Sequence, residues 1–103
     1  MTTHTEGPWR YDYEPGYCGE LIAADGTTIC TFSDEPKPMD SMLMSAAPDL
    51  LQALDALFTD MIIAQGNMRD AAKRDPRWEG CAEEIQPRID AARAVLAKAR
   101  GET

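Results

Sequence analysis

The feature that most constrains the fold is a pair of apolar repeats with the same helical spacing in the second half of the chain. The first repeat consists of Leu50, Leu54, Leu57, Met61 and Ala64, and the second of Ile85, Ile89, Ala92, Leu96 and Ala99. Steps of four and three residues place apolar side chains along one seam of a helix. Because only a short polar stretch separates the repeats, they predict an antiparallel helical hairpin.

Prolines mark the expected starts of the two helices. Helical periodicity begins at Met39, and the stretch SAAPDLLQAL places Ser45 where it can cap a helix and Pro48 in the first turn, where a missing N–H costs nothing. Pro48 therefore indicates a helix start or a local kink. Pro76, preceded by an aspartate, predicts the start of the second helix. Pro87 either kinks that helix or marks its true start.

The first third of the chain has strand periodicity. The stretch WRYDY alternates aromatic and charged residues, and the stretches CGELIA and TTICTF flank the turn signal ADG. We expect a three-stranded antiparallel meander over residues 9–32. Two registers are open for its hairpin. A two-residue loop pairs Leu21 with Cys30. A three-residue loop with Gly26 in a bulge pairs Leu21 with Ile29.

Together these elements predict a single α+β domain of 103 residues. Its N-terminal three-stranded antiparallel β-meander, at residues 9–32, is expected to pack on a C-terminal antiparallel helical hairpin. An acidic, proline-broken linker at residues 33–38 leads into the helical part at residues 39–100.

The charge of the chain excludes two classes of partner. The formal net charge is −8, and the acidic excess lies in residues 1–65, whereas residues 66–103 are nearly balanced. Phosphate backbones and anionic membrane surfaces attract basic proteins, so we expect neither nucleic acid nor a membrane as a direct partner. No apolar stretch is long enough to span a bilayer, and no secretory signal is visible. We therefore expect a cytoplasmic protein.

We expect no cofactor, no metal and no catalytic residue. The only histidine, His4, falls in an N-terminal segment expected to fray. The cysteines lack the close pairs of a zinc site, and are interpreted as reduced, buried, small apolar residues: Cys18, Cys30 and Cys81. The acids of the helices are expected to face solvent rather than to bind magnesium. They are Asp55, Asp60, Glu79, Glu83, Glu84 and Asp90. The chain is therefore predicted not to be an enzyme.

The predicted partner-binding residues are adaptable or surplus apolar side chains. Met39, Met42 and Met44 lie next to the linker, where flexible thioethers suit either a packing edge or a binding surface. Leu51, Phe58 and Ile62 form a flank beside the first helical seam. We expect a homodimer, because a small sheet cannot cover both the seam and the flank.

Three short stretches, HTEGPW, ADGTTI and SAAPDLLQAL, carry a resemblance to a known group of proteins. The three stretches resemble those of short accessory proteins of phages and prophages, which open with a histidine-threonine-proline-glycine-proline-tryptophan pattern and carry an alanine-proline-aspartate-leucine-leucine run before a helix. Glu6 replaces the usual proline here, and Met44 and Ser45 stand where isoleucine and alanine are common. The resemblance implies an accessory protein acting in the host cell, and it assigns a role to no residue.

The function expected from these observations is the binding and modulation of a host protein, such as a defence component, without catalysis. The alternative is a protein that binds or sequesters a nucleotide signal at a dimer interface. That alternative requires clustered basic side chains, and the candidates are Arg69, Lys73, Arg74 and Arg77.

Overall fold

A computed structural model of the chain describes residues 4–102. It contains three short strands followed by two helices, which confirms the predicted α+β fold. The elements are β1 (Arg10–Asp12), β2 (Glu20–Ile22), β3 (Thr28–Thr31), α1 (Pro38–Ala72) and α2 (Arg77–Ala99).

The chain divides into two compact units between Leu50 and Leu51. The first unit holds the three strands and the beginning of α1, and the second holds the rest of α1 and all of α2. The segment between β3 and α1, residues 32–37, has no regular structure. The expectation of a single domain stays a prediction.

The sheet is the expected antiparallel meander, with strand order β1-β2-β3. Tyr11 on β1 lies opposite Leu21 on the central strand. Leu21 and Ile22 are consecutive and therefore point to opposite faces of the sheet, yet both are buried. The central strand is thus covered on both faces.

The β2–β3 hairpin combines the two predicted registers. Its loop has three residues, because the Ala23 N–H donates to the Thr27 carbonyl across 2.8 Å and Gly26 adopts φ +89°. Next to the loop, Ile22 lies opposite Thr28. A β-bulge then shifts the register between Ile22 and Leu21. As a result Leu21 lies opposite Cys30, as in the shorter-loop alternative.

The helices of the second unit form the predicted antiparallel hairpin. Arg100, just beyond the end of α2, forms an ion pair of 2.8 Å with Asp55 on α1. Gln65, further along α1, donates through Nε2 to the Ala82 carbonyl near the start of α2, at 3.0 Å. These two contacts join the opposite ends of the helices and therefore establish their antiparallel direction.

The seam predicted on α2 is mostly correct, whereas the seam predicted on α1 is correct only in part. On α2, Ile89 and Leu96 are almost completely buried. On α1, however, Leu50 and Leu57 are exposed, and the covered positions are Leu51, Leu54, Phe58, Met61 and Gln65. Because α1 carries apolar residues on several faces, more than one phase fits the spacing. The phase that occurs includes the polar Gln65, whose amide also donates to Gln86 Oε1 at 2.8 Å.

The interpretation of Pro48 as a helix start is wrong. The helix α1 begins at Pro38, where proline fits the first turn, and Pro48 lies inside it. Ser45 does not cap a helix, because its hydroxyl donates to the Ser41 carbonyl one turn earlier, at 2.8 Å. Pro48 lacks an N–H for the Met44 carbonyl, so α1 continues there with one hydrogen bond fewer.

The start of α2 agrees with the prediction to within one residue. The helix begins at Arg77, whose N–H donates to the Asp75 carboxylate across 3.1 Å. The Arg77 guanidinium also binds that carboxylate and holds the pKa of Asp75 below its ordinary value. Pro87 lies inside α2, so it does not mark the start of the helix.

The three cysteines are exposed, which corrects the expectation that they are buried. Cys18, Cys30 and Cys81 are all free thiols on the surface. Cys30 is exposed on β3, although it lies opposite the buried Leu21, whereas its neighbour Ile29 is half-buried.

We expect a thiol reagent to titrate all three cysteines in the native protein. Exposed thiols react without unfolding, so the native and denatured proteins should give the same count of three. A disulfide-exchange assay with and without denaturant measures both counts. A native count that rises on denaturation would contradict the exposure of these residues.

Candidate functional site

The N-terminal segment is anchored to α1, although it was expected to fray. Gly7 lies against Pro48 so closely that a Cβ on Gly7 would lie 2.7 Å from the Pro48 Cγ. Trp9 turns back on the segment, and its Nε1 donates to the Thr5 carbonyl at 3.1 Å. His4 meets the Trp9 ring edge-on, with the ring centroids 6.2 Å apart. The remaining residues of the expected frayed segment, 1–3, lie outside the described residues.

The contact between Gly7 and Pro48 joins two of the segments that carry the sequence resemblance. HTEGPW supplies Gly7, and SAAPDLLQAL supplies Pro48, which is buried. Gly7 and Pro48 both belong to the first unit. Pro48 therefore lies where the N-terminal segment meets α1.

A groove of about 480 Å³ lies between β1 and the first turns of α1. Its lining residues all belong to the first unit: Trp9, Arg10, Tyr11, Ser41, Met42, Ser45 and Ala46. The hydroxyls of Ser41 and Ser45 donate to the Pro38 and Ser41 carbonyls within α1. The groove wall therefore presents mainly aromatic rings, methionine and methyl groups, with Arg10 as its one charged residue.

Exposed apolar side chains continue from the groove over the outer surface of α1. We call Met39, Met42, Leu43 and Leu50 the apolar patch; each is more than half exposed. Met42 belongs to both features, because it also lines the groove. Of the three methionines predicted to bind a partner, Met39 and Met42 lie in the patch, whereas Met44 is half-buried.

The other predicted binding residues lie in the second unit. Leu51 and Phe58 are half-buried on the α1 face that α2 covers, and the Arg93 guanidinium lies 5.5 Å from the centre of the Phe58 ring. Ile62 is partly exposed. These residues are therefore separate from the groove and the patch, and the homodimer expected from them stays a prediction.

The basic residues proposed for nucleotide binding are largely engaged with neighbours. Lys73 pairs with Asp70 at 3.3 Å, and Arg77 pairs with Asp75 at 2.6 Å. Arg69 donates to Gln86 Oε1 at 3.3 Å. Carboxylates beside two of these bases offset the positive charge that a phosphate needs. Nucleotide binding stays an untested alternative.

The acids and thiols of residues 4–102 form no group of three or more that could hold a metal ion. Asp55 and Asp90, considered above as magnesium ligands, form ion pairs with Arg100 and Arg93. Within the same residues, neither helix is long and apolar enough to cross a membrane.

Sequence reasoning identified part of the groove and missed the rest. The alternation in WRYDY placed Trp9 and Tyr11 on one face of a strand, and both are half-buried beside the groove. Ser41 and Ala46 were missed because the sequence left open whether the helix continues through Pro48. A continuous helix from Pro38 places Met42 and Ala46 one turn apart on one face.

Comparison with models of protein families finds a match over the whole chain. A family model described as Salmonella phage P22 protein Y8K6 matches residues 1–103. No curated protein and no solved structure matches the chain with significance.

Proposed function

The chain belongs to the Salmonella phage P22 protein Y8K6 family, and from this premise we propose that it is a phage accessory protein that binds and modulates a host protein. The proposal includes no catalytic step. It places the protein in the cytoplasm of the bacterial host, with a component of host defence as one class of target.

The observation that carries the proposal is the apolar patch next to the groove. Met39, Met42, Leu43 and Leu50 are large apolar side chains that remain accessible on one short stretch of helix. Protein surfaces that keep such groups together commonly contact another protein. Methionine adapts its shape to a partner at small cost, which suits a surface that must fit a host protein.

The anchoring of the N-terminal segment also supports the proposal. Residues that carry the family resemblance do not form a cluster of acids, bases and nucleophiles. Instead Gly7 and Pro48 contact each other beside the groove residue Trp9, and so hold β1 and the beginning of α1 in one unit. A surface that is already formed in the free protein loses less entropy when it binds.

Affinity capture from host lysate tests the proposal with a matched pair of variants. Met42→Glu introduces a charge into the patch, and we expect it to reduce capture of the specific partner at least ~10-fold, as at other central apolar contacts. Leu57→Glu introduces the same charge at a site of nearly equal exposure, 62% against 65%, in the other unit. Leu57→Glu should leave capture unchanged.

The readout is the amount of each captured protein by quantitative mass spectrometry, with circular dichroism to show that both variants stay folded. A partner captured equally by wild type and Met42→Glu would remove the patch from the proposal. Capture of a small molecule, and of no protein, would favour the nucleotide-binding alternative.

A further inference from the structure

We infer that the groove and the apolar patch bind a basic segment that carries apolar side chains. This inference rests on the proposed function and adds the chemical class of the partner. Three observations carry it: the net charge of the first unit, the acids of its described residues that lie outside ion pairs, and the apolar side chains of the groove wall.

The first unit has a large uncompensated negative charge. Residues 4–50 contain nine acidic and two basic side chains, a formal net charge of −7. In the second unit, four acids are held in ion pairs with lysine or arginine. In the described part of the first unit, by contrast, no acid lies in an ion pair. The negative charge around the groove is therefore available to a partner.

Three of these acids flank the groove and the patch along the chain. Asp12 ends β1, two residues after the groove residue Arg10. Asp40 precedes Ser41 on α1, and Asp49 precedes Leu50. All three carboxylates are exposed. An apolar surface on an acidic unit is complementary to a segment whose apolar side chains alternate with lysine or arginine.

The same charges argue against the other occupants of an apolar groove. A second copy of the chain, docked through this surface, would bring two units of charge −7 together, and like charges repel. Nucleic acid and anionic lipid are repelled in the same way. A basic polypeptide is the occupant that can bury the apolar patch and is also attracted by the negative charge of the acids.

The groove wall supports a peptide rather than a small anion. The hydroxyls of Ser41 and Ser45 are already donating within α1, so they do not offer protons to an anion. Trp9, Tyr11 and Met42 instead provide apolar surface for side chains. Arg10 is the one lining residue whose charge opposes a basic partner.

Fluorescence titration with synthetic peptides tests the inference. The chain has two tryptophans, so Trp78→Phe leaves Trp9 of the groove as the only reporter. The probes are a helical peptide of leucine and lysine, its counterpart of leucine and glutamate, and a peptide of lysine and serine. We expect the leucine–lysine peptide to shift the Trp9 emission and to bind at least ~10-fold more tightly than either other peptide.

Variants in this background separate apolar docking from general charge attraction. Met42→Glu makes the unit more acidic yet removes an apolar contact, so it should weaken the leucine–lysine peptide about 10-fold or more. Asp40→Asn should weaken it about two- to five-fold and reduce its dependence on salt, as for other exposed charge pairs. Asp60→Asn, an exposed acid of the other unit, should have no effect. Arg10→Gln should strengthen binding.

Several results would overturn the inference. They are equal binding of the leucine–lysine and leucine–glutamate peptides, stronger binding by Met42→Glu, and a self-association that Met42→Glu abolishes, which would assign the surface to a second copy. Peptide binding at Trp9 without capture of a host protein would contradict the proposed function and leave this inference standing. Capture of a host protein that depends on Met42, without a preference for the leucine–lysine peptide, would contradict this inference and leave the proposed function standing.

Discussion

Replacing Leu96 with alanine is expected to lower the free energy of unfolding by about 2–5 kcal/mol. Leu96 is 2% exposed on the face of α2 that meets α1, and Ile89, one heptad earlier, is 1% exposed. Truncation there removes apolar contacts and leaves a cavity, because neighbouring helices relax only in part. Such a loss is a large share of the stability of a small protein.

The adjacent residue provides a matched control for Leu96. Val95 is 54% exposed on the same helix, so Val95→Ala should change the unfolding free energy by less than about 0.5 kcal/mol. Urea denaturation followed by circular dichroism measures both variants, and Ile89→Ala should behave like Leu96→Ala. Similar, small losses for Leu96→Ala and Val95→Ala would show that α2 presents a different face to α1.

Replacing Gly19 with alanine is expected to destabilise the first unit by about 1–3 kcal/mol, as in other overpacked interiors. A Cβ at this position would lie 2.6 Å from Cζ of the Tyr11 ring and 2.8 Å from its Cε1. The ring cannot move away freely, because it also packs edge-on against Phe32 with the centroids 5.7 Å apart. Glycine is therefore required here by close approach of an aromatic ring.

Gly66 provides the control with the opposite sign. It lies inside α1 with no atom within 4 Å of an added Cβ, so Gly66→Ala should raise stability by about 0.5–1 kcal/mol through helix propensity. Thermal unfolding followed at a tyrosine-sensitive wavelength compares the two variants. A Gly19→Ala protein as stable as wild type would contradict the packing of Tyr11 on Gly19.

A second substitution tests whether the Tyr11 hydroxyl, the atom nearest to a Cβ at Gly19, contributes to this cost. Its hydroxyl is buried and has no hydrogen-bond partner within residues 4–102, and burial raises the pKa of Tyr11 above its ordinary value. Tyr11→Phe removes this unsatisfied hydroxyl, so it should not destabilise the protein, and it should reduce the cost of Gly19→Ala. Equal costs of Gly19→Ala in both backgrounds would assign the effect to the ring carbons or the backbone rather than to the hydroxyl.

Local patterns in the sequence were sufficient to predict the strands and helices and the antiparallel direction in which they pair. Alternation over residues 9–32 predicts the three strands, and the turn signal with Gly26 predicts the hairpin. The second apolar repeat identifies Ile89 and Leu96 as buried. These features follow from periodicity and turn chemistry, which depend on neighbours in the chain. The resemblance carried by HTEGPW, ADGTTI and SAAPDLLQAL indicated a phage protein, and the family match confirms it.

Only the tertiary structure decided which face of α1 is covered and where the candidate site lies. The helix is apolar on several sides, so its own sequence does not choose between Leu57 and Phe58; the partners of Gln65 on α2 do. The sequence allowed Pro48 to be a helix start, whereas in the structure Pro48 lies inside α1 and contacts Gly7. The groove joins β1 to the beginning of α1, residues that are distant in sequence. Spacing along a chain cannot specify such contacts, because they depend on which surfaces the folded elements bury against each other.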